Sequence, residues 1–148
     1  MKNILFVCTG NTCRSCMAEA IFNNFCDIEE IKAISAGAAV EKNSKTSKNS
    51  TLVVKENIGL NLSERTAVQI TKEIIENSDL ILTMTSYIRD LLINRFPKFK
   101  NKIYALNQYV LLETDVVDPF GGDIEVYRQT YKQLKDSILL LLDKLKKI

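Results

Sequence analysis

The sequence predicts an α/β fold, a three-layer sandwich in which helices cover both faces of a four-stranded parallel sheet. Short apolar segments typical of buried strands alternate along the chain with segments whose apolar residues recur every three or four positions. A polar loop over residues 8–15 directly follows the first strand, where sheets of this kind place their ligand sites. The 148 residues match the size of one domain, so we expect a single domain over 1–148.

The first half of the chain alternates strand and helix. Apolar segments over residues 2–7 and 31–36 predict two strands, the second of which ends at Gly37. Between them, apolar residues four positions apart predict a helix over 15–26. A polar, exposed loop is expected over 38–50.

The later elements follow the same alternation. In chain order they are a helix over 47–57, a short helix over 71–77, a strand over 79–83, a helix over 86–96, a strand over 103–106, a loop over 113–122 and a helix over 123–146. Pro97 stops the helix before it. In the last helix, apolar residues from Ile124 to Leu145 recur at spacings of three and four, which predicts docking on the sheet.

The charge balance and hydropathy limit the possible partners. With 20 basic and 18 acidic residues, the formal net charge is +2, which does not indicate the strongly basic surface typical of nucleic-acid-binding proteins. No apolar run approaches the roughly 20 residues that a membrane span needs. We therefore expect a cytoplasmic monomer that binds neither nucleic acid nor a membrane.

The cysteines and the missing histidines restrict the chemistry. Cys8, Cys13, Cys16 and Cys26 all lie near the start of the chain, and the sequence contains no histidine. Extracellular disulfide frameworks spread their cysteines more widely, and zinc sites use paired ligand spacings that this sequence lacks. We expect no metal and no cofactor. A nucleophile in this protein has to be activated without imidazole.

The loop after the first strand has the composition of an anion cradle. It comprises the residues Cys8, Thr9, Gly10, Asn11, Thr12, Cys13, Arg14 and Ser15. Successive backbone N–H groups and the helix N-terminus that follows would bind phosphate. Gly10 permits a positive φ, and Asn11 tolerates one better than most residues.

Cys8 lies where the same dipoles would hold it as a thiolate, the reactive form of cysteine. Arg14, six residues further on, can fold back over the loop, and its planar fork matches two phosphate oxygens. Ser15 can donate a hydrogen bond to the sulfur and help it to leave in a second step. The sequence thus predicts nucleophilic attack on a phosphate group.

A second segment supplies an acid. Asp118 precedes Pro119, which fixes its own φ and restricts Asp118 to extended backbone. A carboxylic acid held in this way can protonate the leaving group. Phe120 would form an aromatic wall beside it.

The loop, together with Met17-Ala18-Glu19, resembles the signature of the low-molecular-weight protein tyrosine phosphatase family. The segments Ser35-Ala36-Gly37, Arg65-Thr66-Ala67 with Gln69, Asp79-Leu80-Ile81-Leu82-Thr83-Met84 and Asp118-Pro119-Phe120-Gly121-Gly122 also resemble family segments, in the same order. The resemblance implies a four-stranded parallel sheet, a phosphocysteine intermediate, no metal, and an activity that opposes a protein kinase. One departure is Cys16, where the family usually has proline.

Thr12 and Phe120 are the residues that we associate with specificity. Tyrosine-specific members of the family usually carry a bulkier aliphatic residue at the position of Thr12, and this sequence is most similar to the bacterial protein-arginine-phosphatase branch. The expected substrates are therefore proteins carrying phosphoarginine, with phosphotyrosine as the alternative. Arsenate reduction would need further cysteines after Cys26, and a binding module would need neither the nucleophile nor the acid.

The sequence also predicts redox sensitivity. An accessible thiolate at Cys8 would oxidise first to a sulfenic acid, and Cys13 on the same concave loop would trap it as a disulfide. Cys16, one helical turn from Cys13, remains an alternative resolving thiol.

Overall fold

The protein is described over residues 2–148 in a computed structural model. The strands are β1 (Asn3–Cys8), β2 (Lys32–Gly37), β3 (Leu80–Thr83) and β4 (Ile103–Ala105). All pair in parallel, in the order β2-β1-β3-β4. The α-helices are α1 (Arg14–Phe25), α2 (Lys48–Ile58), α3 (Lys72–Asn77), α4 (Ser86–Arg95), α5 (Leu106–Tyr109) and α6 (Ile124–Lys146). The predicted α/β fold with four parallel strands is confirmed.

The helices cover the sheet on both sides because β1 alternates its buried side chains between two cores. Ile4 and Phe6 belong to one core, which also contains apolar residues of α1, α2 and α6. Leu5 and Val7 belong to the other, with apolar residues of α3 and α4. Such a sheet, apolar on both faces, is stable only between two helical layers. The three-layer sandwich is therefore confirmed.

The long apolar stripe of α6 docks as predicted. The stripe is buried in the first core, in contact with α1 and α2, at Tyr127, Tyr131, Leu134, Ile138, Leu141 and Leu145, whereas Leu139 and Leu140 on the other side of the helix are exposed. None of the helices in residues 2–148 combines the length and hydropathy required to cross a bilayer.

Most predicted boundaries differ from the structure by one residue, and helix caps explain three of these differences. Ser47, Thr71 and Asp123 were predicted to be the first helical residues, but each accepts a hydrogen bond from the backbone N–H three positions later and so precedes its helix. Leu106 was predicted to end the fourth strand and instead begins α5. The 3₁₀ helix Pro97–Lys102 was not predicted.

Candidate active site

The predicted phosphate loop lies at the carboxyl edge of the sheet, between β1 and α1. Cys8 ends β1, an inner strand, and Arg14 begins α1 only six positions later. Cys13 occupies the N-cap position without capping the helix through its side chain. The free N–H groups of the first helical turn and the positive end of the helix dipole therefore face this loop.

The sulfur of Cys8 is held by two hydrogen bonds. It lies 2.9 Å from Ser15 Oγ and accepts from the backbone N–H of Asn11 at 3.2 Å. Because Asn11 Nδ2 donates to Ser15 Oγ at 2.7 Å, the hydroxyl hydrogen of Ser15 remains available to the sulfur. The geometry thus agrees with the predicted hydrogen bond from Ser15.

Asn11 carries the positive φ of the loop. Its φ is 56°, and its side chain is fully buried. Gly10, for which the sequence also allowed a positive φ, does not adopt one. The Asn11 amide is held on its other side as well, since Oδ1 accepts from Arg65 Nη1 at 3.0 Å and from the Val68 N–H at 2.9 Å.

Arg65 connects the loop to a half-buried ionic network that the sequence analysis missed. Its Nη2 donates to Ser35 Oγ at 2.7 Å and lies 3.4 Å from Glu19 Oε1. Ser35 Oγ in turn donates to Glu19 at 2.8 Å and accepts from Asn11 at 3.0 Å. Glu19, Ser35 and Arg65 belong to segments that resemble the family, but no local pattern relates residues so distant in sequence.

Arg14 and Asp118 meet beside the loop, as the sequence predicts. The Arg14 side chain is 7% exposed, and its Nη1 donates to the Val116 carbonyl at 3.1 Å. Its Nη2 lies 3.7 Å from Asp118 Oδ2. The Asp118 carboxylate is 60% exposed and accepts from the Phe120 N–H at 3.0 Å, which orients it next to the phosphate loop.

A cleft of about 450 Å³ opens over these residues. Its lining residues are Cys8, Thr9, Gly10, Thr12, Cys13, Arg14, Ala39, Glu41, Ser44, Asp118 and Phe120. Asn11 and Ser15, which we predicted to bind phosphate, do not line it, and their side chains are buried. Phe120 is 82% exposed, so its ring lies at the rim of the cleft and does not form a closed aromatic wall.

Ala39, Glu41 and Ser44 come from the loop over 38–47, which the sequence analysis gave no role. Both ends of this loop bind the backbone of the phosphate loop. The Ala39 N–H donates to the Thr9 carbonyl, and the Ser47 N–H donates to the Thr12 carbonyl, each at 2.9 Å. The sequence analysis used only the polar composition of this segment, which does not predict where the loop docks.

Gly37, at the end of β2, permits this close approach. A Cβ atom at Gly37 would lie 2.7 Å from the Thr9 carbonyl oxygen and 3.0 Å from the Asn11 nitrogen. Both are backbone atoms of the phosphate loop, which could not move away without disturbing the cradle. The glycine that the loop requires is therefore in a neighbouring strand.

The other cysteines of the loop region differ in access. Cys13 lines the cleft, and its Sγ lies 3.6 Å from both Ser47 Oγ and Tyr127 Oη. Burial, followed by the contact with Cys13, raises the pKa of Tyr127 to about 12. Cys16 does not line the cleft, and its thiol donates to the Cys13 carbonyl at 3.1 Å. Burial, followed by the nearby Cys8, raises the pKa of the Cys16 thiol.

Comparison with known proteins gives consistent matches over nearly the whole chain. The profile of the family described as low molecular weight phosphotyrosine protein phosphatase matches residues 3–148. A protein-arginine-phosphatase of Geobacillus stearothermophilus is 41% identical, with 96% of this chain and 95% of the relative covered. A low molecular weight protein-tyrosine-phosphatase of Staphylococcus haemolyticus is also 41% identical, covering 97% and 96%.

Among solved structures, this fold is similar to that of an arginine phosphatase mutant in which a serine replaces the active-site cysteine and is phosphorylated. The TM-score is 0.92 at 35% identity, with 98% of this chain and 96% of the other covered.

Proposed function

Because the chain belongs to the low molecular weight phosphotyrosine protein phosphatase family, we propose that it hydrolyses phosphoarginine in proteins through a phosphocysteine intermediate. It is a phosphatase, and its relatives act on phosphorylated proteins. As further parts of this proposal, the enzyme is a single-domain monomer that acts in the cytoplasm and opposes a protein kinase.

The observation that carries the proposal is the convergence of Cys8, Arg14 and Asp118 on one cleft. In the first step the Cys8 thiolate attacks phosphorus, forming an S–P bond while the P–N bond to the arginine side chain breaks. Asp118 gives its proton to the departing guanidino nitrogen. Arg14 holds the equatorial phosphoryl oxygens, where charge is spread in the transition state.

In the second step a water molecule attacks the phosphocysteine. Asp118, now a carboxylate, takes a proton from that water, and the S–P bond breaks to release phosphate. The hydrogen bond from Ser15 to the sulfur stabilises Cys8 as a thiolate leaving group. The relative whose active-site serine is phosphorylated supports a covalent intermediate at this position.

Thr12 supports phosphoarginine as the substrate. The two curated relatives described above are equally identical to this chain and differ in their named substrate, so overall identity does not distinguish the two activities. Thr12 lines the cleft, and within residues 2–148 its hydroxyl makes only a long contact of 3.8 Å, to Cys13 Sγ. That hydroxyl can hydrogen-bond a polar guanidinium group, whereas an aryl ring would pack better against an aliphatic side chain. The exposure of Phe120 is consistent with a weak aromatic wall.

Phosphotyrosine remains the second candidate, since the family description and the staphylococcal relative both name it. The decisive measurement is kcat/KM for one peptide sequence carrying either phosphoarginine or phosphotyrosine. We expect the wild type to prefer phosphoarginine and Thr12→Ile to shift the ratio toward phosphotyrosine by roughly tenfold or more. A wild-type preference for phosphotyrosine would refute the proposed substrate, and an unchanged ratio in Thr12→Ile would remove Thr12 from the specificity determinants.

Cys8→Ser serves as the control in the same assay. A serine hydroxyl is hardly ionised at neutral pH, while the backbone cradle is unaffected, so turnover should be lost and phosphate binding retained. Substantial residual turnover in a clean preparation would contradict the assignment of Cys8 as the nucleophile.

A further inference from the structure

Glu41 adds a second acidic residue to the lining of the cleft, from a loop that does not carry the general acid. Among the residues in 2–148 that line the cleft, Glu41 and Asp118 are acidic and Arg14 is basic. In the proposed mechanism Asp118 transfers protons and Arg14 binds the phosphoryl group. Glu41 has no part in either step, and its charge in the cleft calls for another explanation.

The position of Glu41 is fixed by its backbone, while its side chain is free to meet a ligand. The Glu41 carbonyl accepts hydrogen bonds from the N–H of Ser44 at 3.1 Å and from its hydroxyl at 2.8 Å, which closes a tight turn. The ends of the 38–47 loop are tied to the phosphate loop, so the turn keeps its place relative to Cys8. The Glu41 carboxylate is exposed and makes no hydrogen bond or ion pair within residues 2–148.

The two candidate substrates differ in charge beyond the phosphoryl group. Phosphoarginine keeps a cationic guanidinium next to the phosphorus, whereas an aryl phosphate has no positive charge. Once Arg14 is engaged by the phosphoryl oxygens, the remaining fixed charge of the cleft is negative. A carboxylate there attracts the guanidinium, whereas its repulsion of the phosphoryl dianion is common to both substrates. Discrimination therefore comes from the contact with the guanidinium.

We propose that Glu41 is a specificity-determining residue whose carboxylate pairs with the guanidinium of phosphoarginine in the cleft. This inference rests on the proposed function. Because a planar guanidinium offers several N–H donors, a carboxylate is its best-matched partner. Glu41 acts on substrate recognition and takes no part in proton transfer.

The test compares Glu41→Gln with wild type on two substrates, a phosphoarginine peptide and p-nitrophenyl phosphate. For the peptide we expect kcat/KM to fall roughly tenfold, mainly through KM, since a partly exposed charge pair is lost. For p-nitrophenyl phosphate we expect kcat/KM to rise, because a repulsive charge is removed. The loss with the peptide should shrink in high salt, which screens exposed charges.

The matched control is Glu73→Gln, which removes the same charge from an exposed position in the first turn of α3, outside the cleft. It should change neither kcat/KM value. Glu41→Asp, which keeps the charge on a shorter side chain, should recover part of the activity on phosphoarginine. The unfolding temperature of Glu41→Gln should equal that of wild type.

The outcomes separate this inference from the proposed function. If wild type hydrolyses phosphoarginine and Glu41→Gln leaves the ratio of the two kcat/KM values unchanged, the inference alone is refuted. An equal fall of kcat on both substrates also overturns it, because Glu41 would then serve the chemistry of every substrate. If wild type hydrolyses p-nitrophenyl phosphate but not phosphoarginine, the proposed function fails and this inference fails with it.

Discussion

At the scale of single residues, the Cys8 sulfur depends on side chains that never reach the cleft. Asn11 gives an amide hydrogen to the Ser15 oxygen, so the hydroxyl hydrogen of Ser15 stays free to be donated to the sulfur. Arg65 donates a hydrogen bond to Oδ1, the other end of the Asn11 amide. Residues outside the phosphate loop therefore orient the Asn11 amide, and this arrangement leaves the Ser15 hydroxyl available as a hydrogen-bond donor to the Cys8 sulfur.

Asp118→Asn tests the acid at this scale. We expect kcat for phosphoarginine to fall by roughly 10²–10⁴, the usual contribution of a positioned acid, because asparagine cannot protonate the leaving nitrogen. The amide still accepts a hydrogen bond from Phe120, so the loop should keep its geometry. The fall should be smaller for p-nitrophenyl phosphate, whose leaving group needs no proton. A loss of equal size on both substrates would contradict the acid role.

Cys13 and Cys16 give opposite expectations for oxidation. We propose that peroxide converts Cys8 to a sulfenic acid, which the Cys13 thiol traps as a disulfide with release of water. Cys13 shares the cleft with Cys8, whereas Cys16 is buried behind it with a raised thiol pKa that disfavours the reactive thiolate.

Mass spectrometry after mild peroxide treatment checks this prediction. Cys13→Ala should accumulate the sulfinic acid of Cys8 and lose activity irreversibly, while Cys16→Ala should behave like wild type and recover with thiol reductant. Equal over-oxidation in wild type and Cys13→Ala would show that Cys13 does not protect the nucleophile.

At the scale of secondary structure, the contact between β2 and the phosphate loop leaves no room for a side chain at Gly37. Gly37→Ala should lower the free energy of unfolding by about 1–3 kcal/mol, the usual cost of overpacking, because its methyl group would collide with loop backbone. The matched control is Gly10→Ala, whose Cβ would meet only Thr12 Oγ1, at 3.8 Å. Chemical denaturation of the two variants measures the difference, and equal stabilities would contradict the steric argument.

The contact between β2 and the phosphate loop also shows which parts of the site the sequence alone could not predict. The strand, loop and helix from Asn3 to Phe25 are contiguous, so Cys8 and Arg14 were found from spacing and local context. Asp118 was found because the proline after it leaves a local signal. Glu41 and Arg65 carry no such signal, because only the docking of distant loops brings them to the cradle.

At the scale of the whole molecule, a carboxylate joins the starts of two central strands. Asp79 Oδ2 accepts from the backbone N–H groups of Lys2 and Asn3, each at 2.8 Å, just before β3 begins. These two hydrogen bonds hold the pKa of Asp79 below its ordinary value. The sequence analysis counted Asp79 as a strand residue, since an isolated acidic residue gives no indication of a partner far away in the chain.

Asp79→Asn should therefore destabilise the protein in a pH-dependent way. Because the folded pKa is lowered, the stabilisation is complete above the unfolded pKa of about 3.9 and is lost as the pH falls through the folded value. Since the group is exposed, we expect about 1 kcal/mol at neutral pH.

The measurement is the free energy of unfolding of wild type and variant from neutral pH down to the acid limit. Asp136→Asn, at an exposed position of α6, is the control and should show no comparable loss. A wild-type advantage over Asp79→Asn that persists unchanged in acid would contradict the linkage to this carboxylate.

The attachment of the 38–47 loop to the phosphate loop has a consequence for how such enzymes can evolve. Two of its ties to the phosphate loop, from Ala39 to Thr9 and from Ser47 to Thr12, join main-chain atoms. Main-chain bonds survive a change of side chain, so residues at the tip, such as Glu41, can be replaced without moving the nucleophile. Substrate preference can then evolve independently of the catalytic residues. Point substitutions at the tip would change which substrates are accepted, while Cys8, Arg14 and Asp118 keep the same reaction.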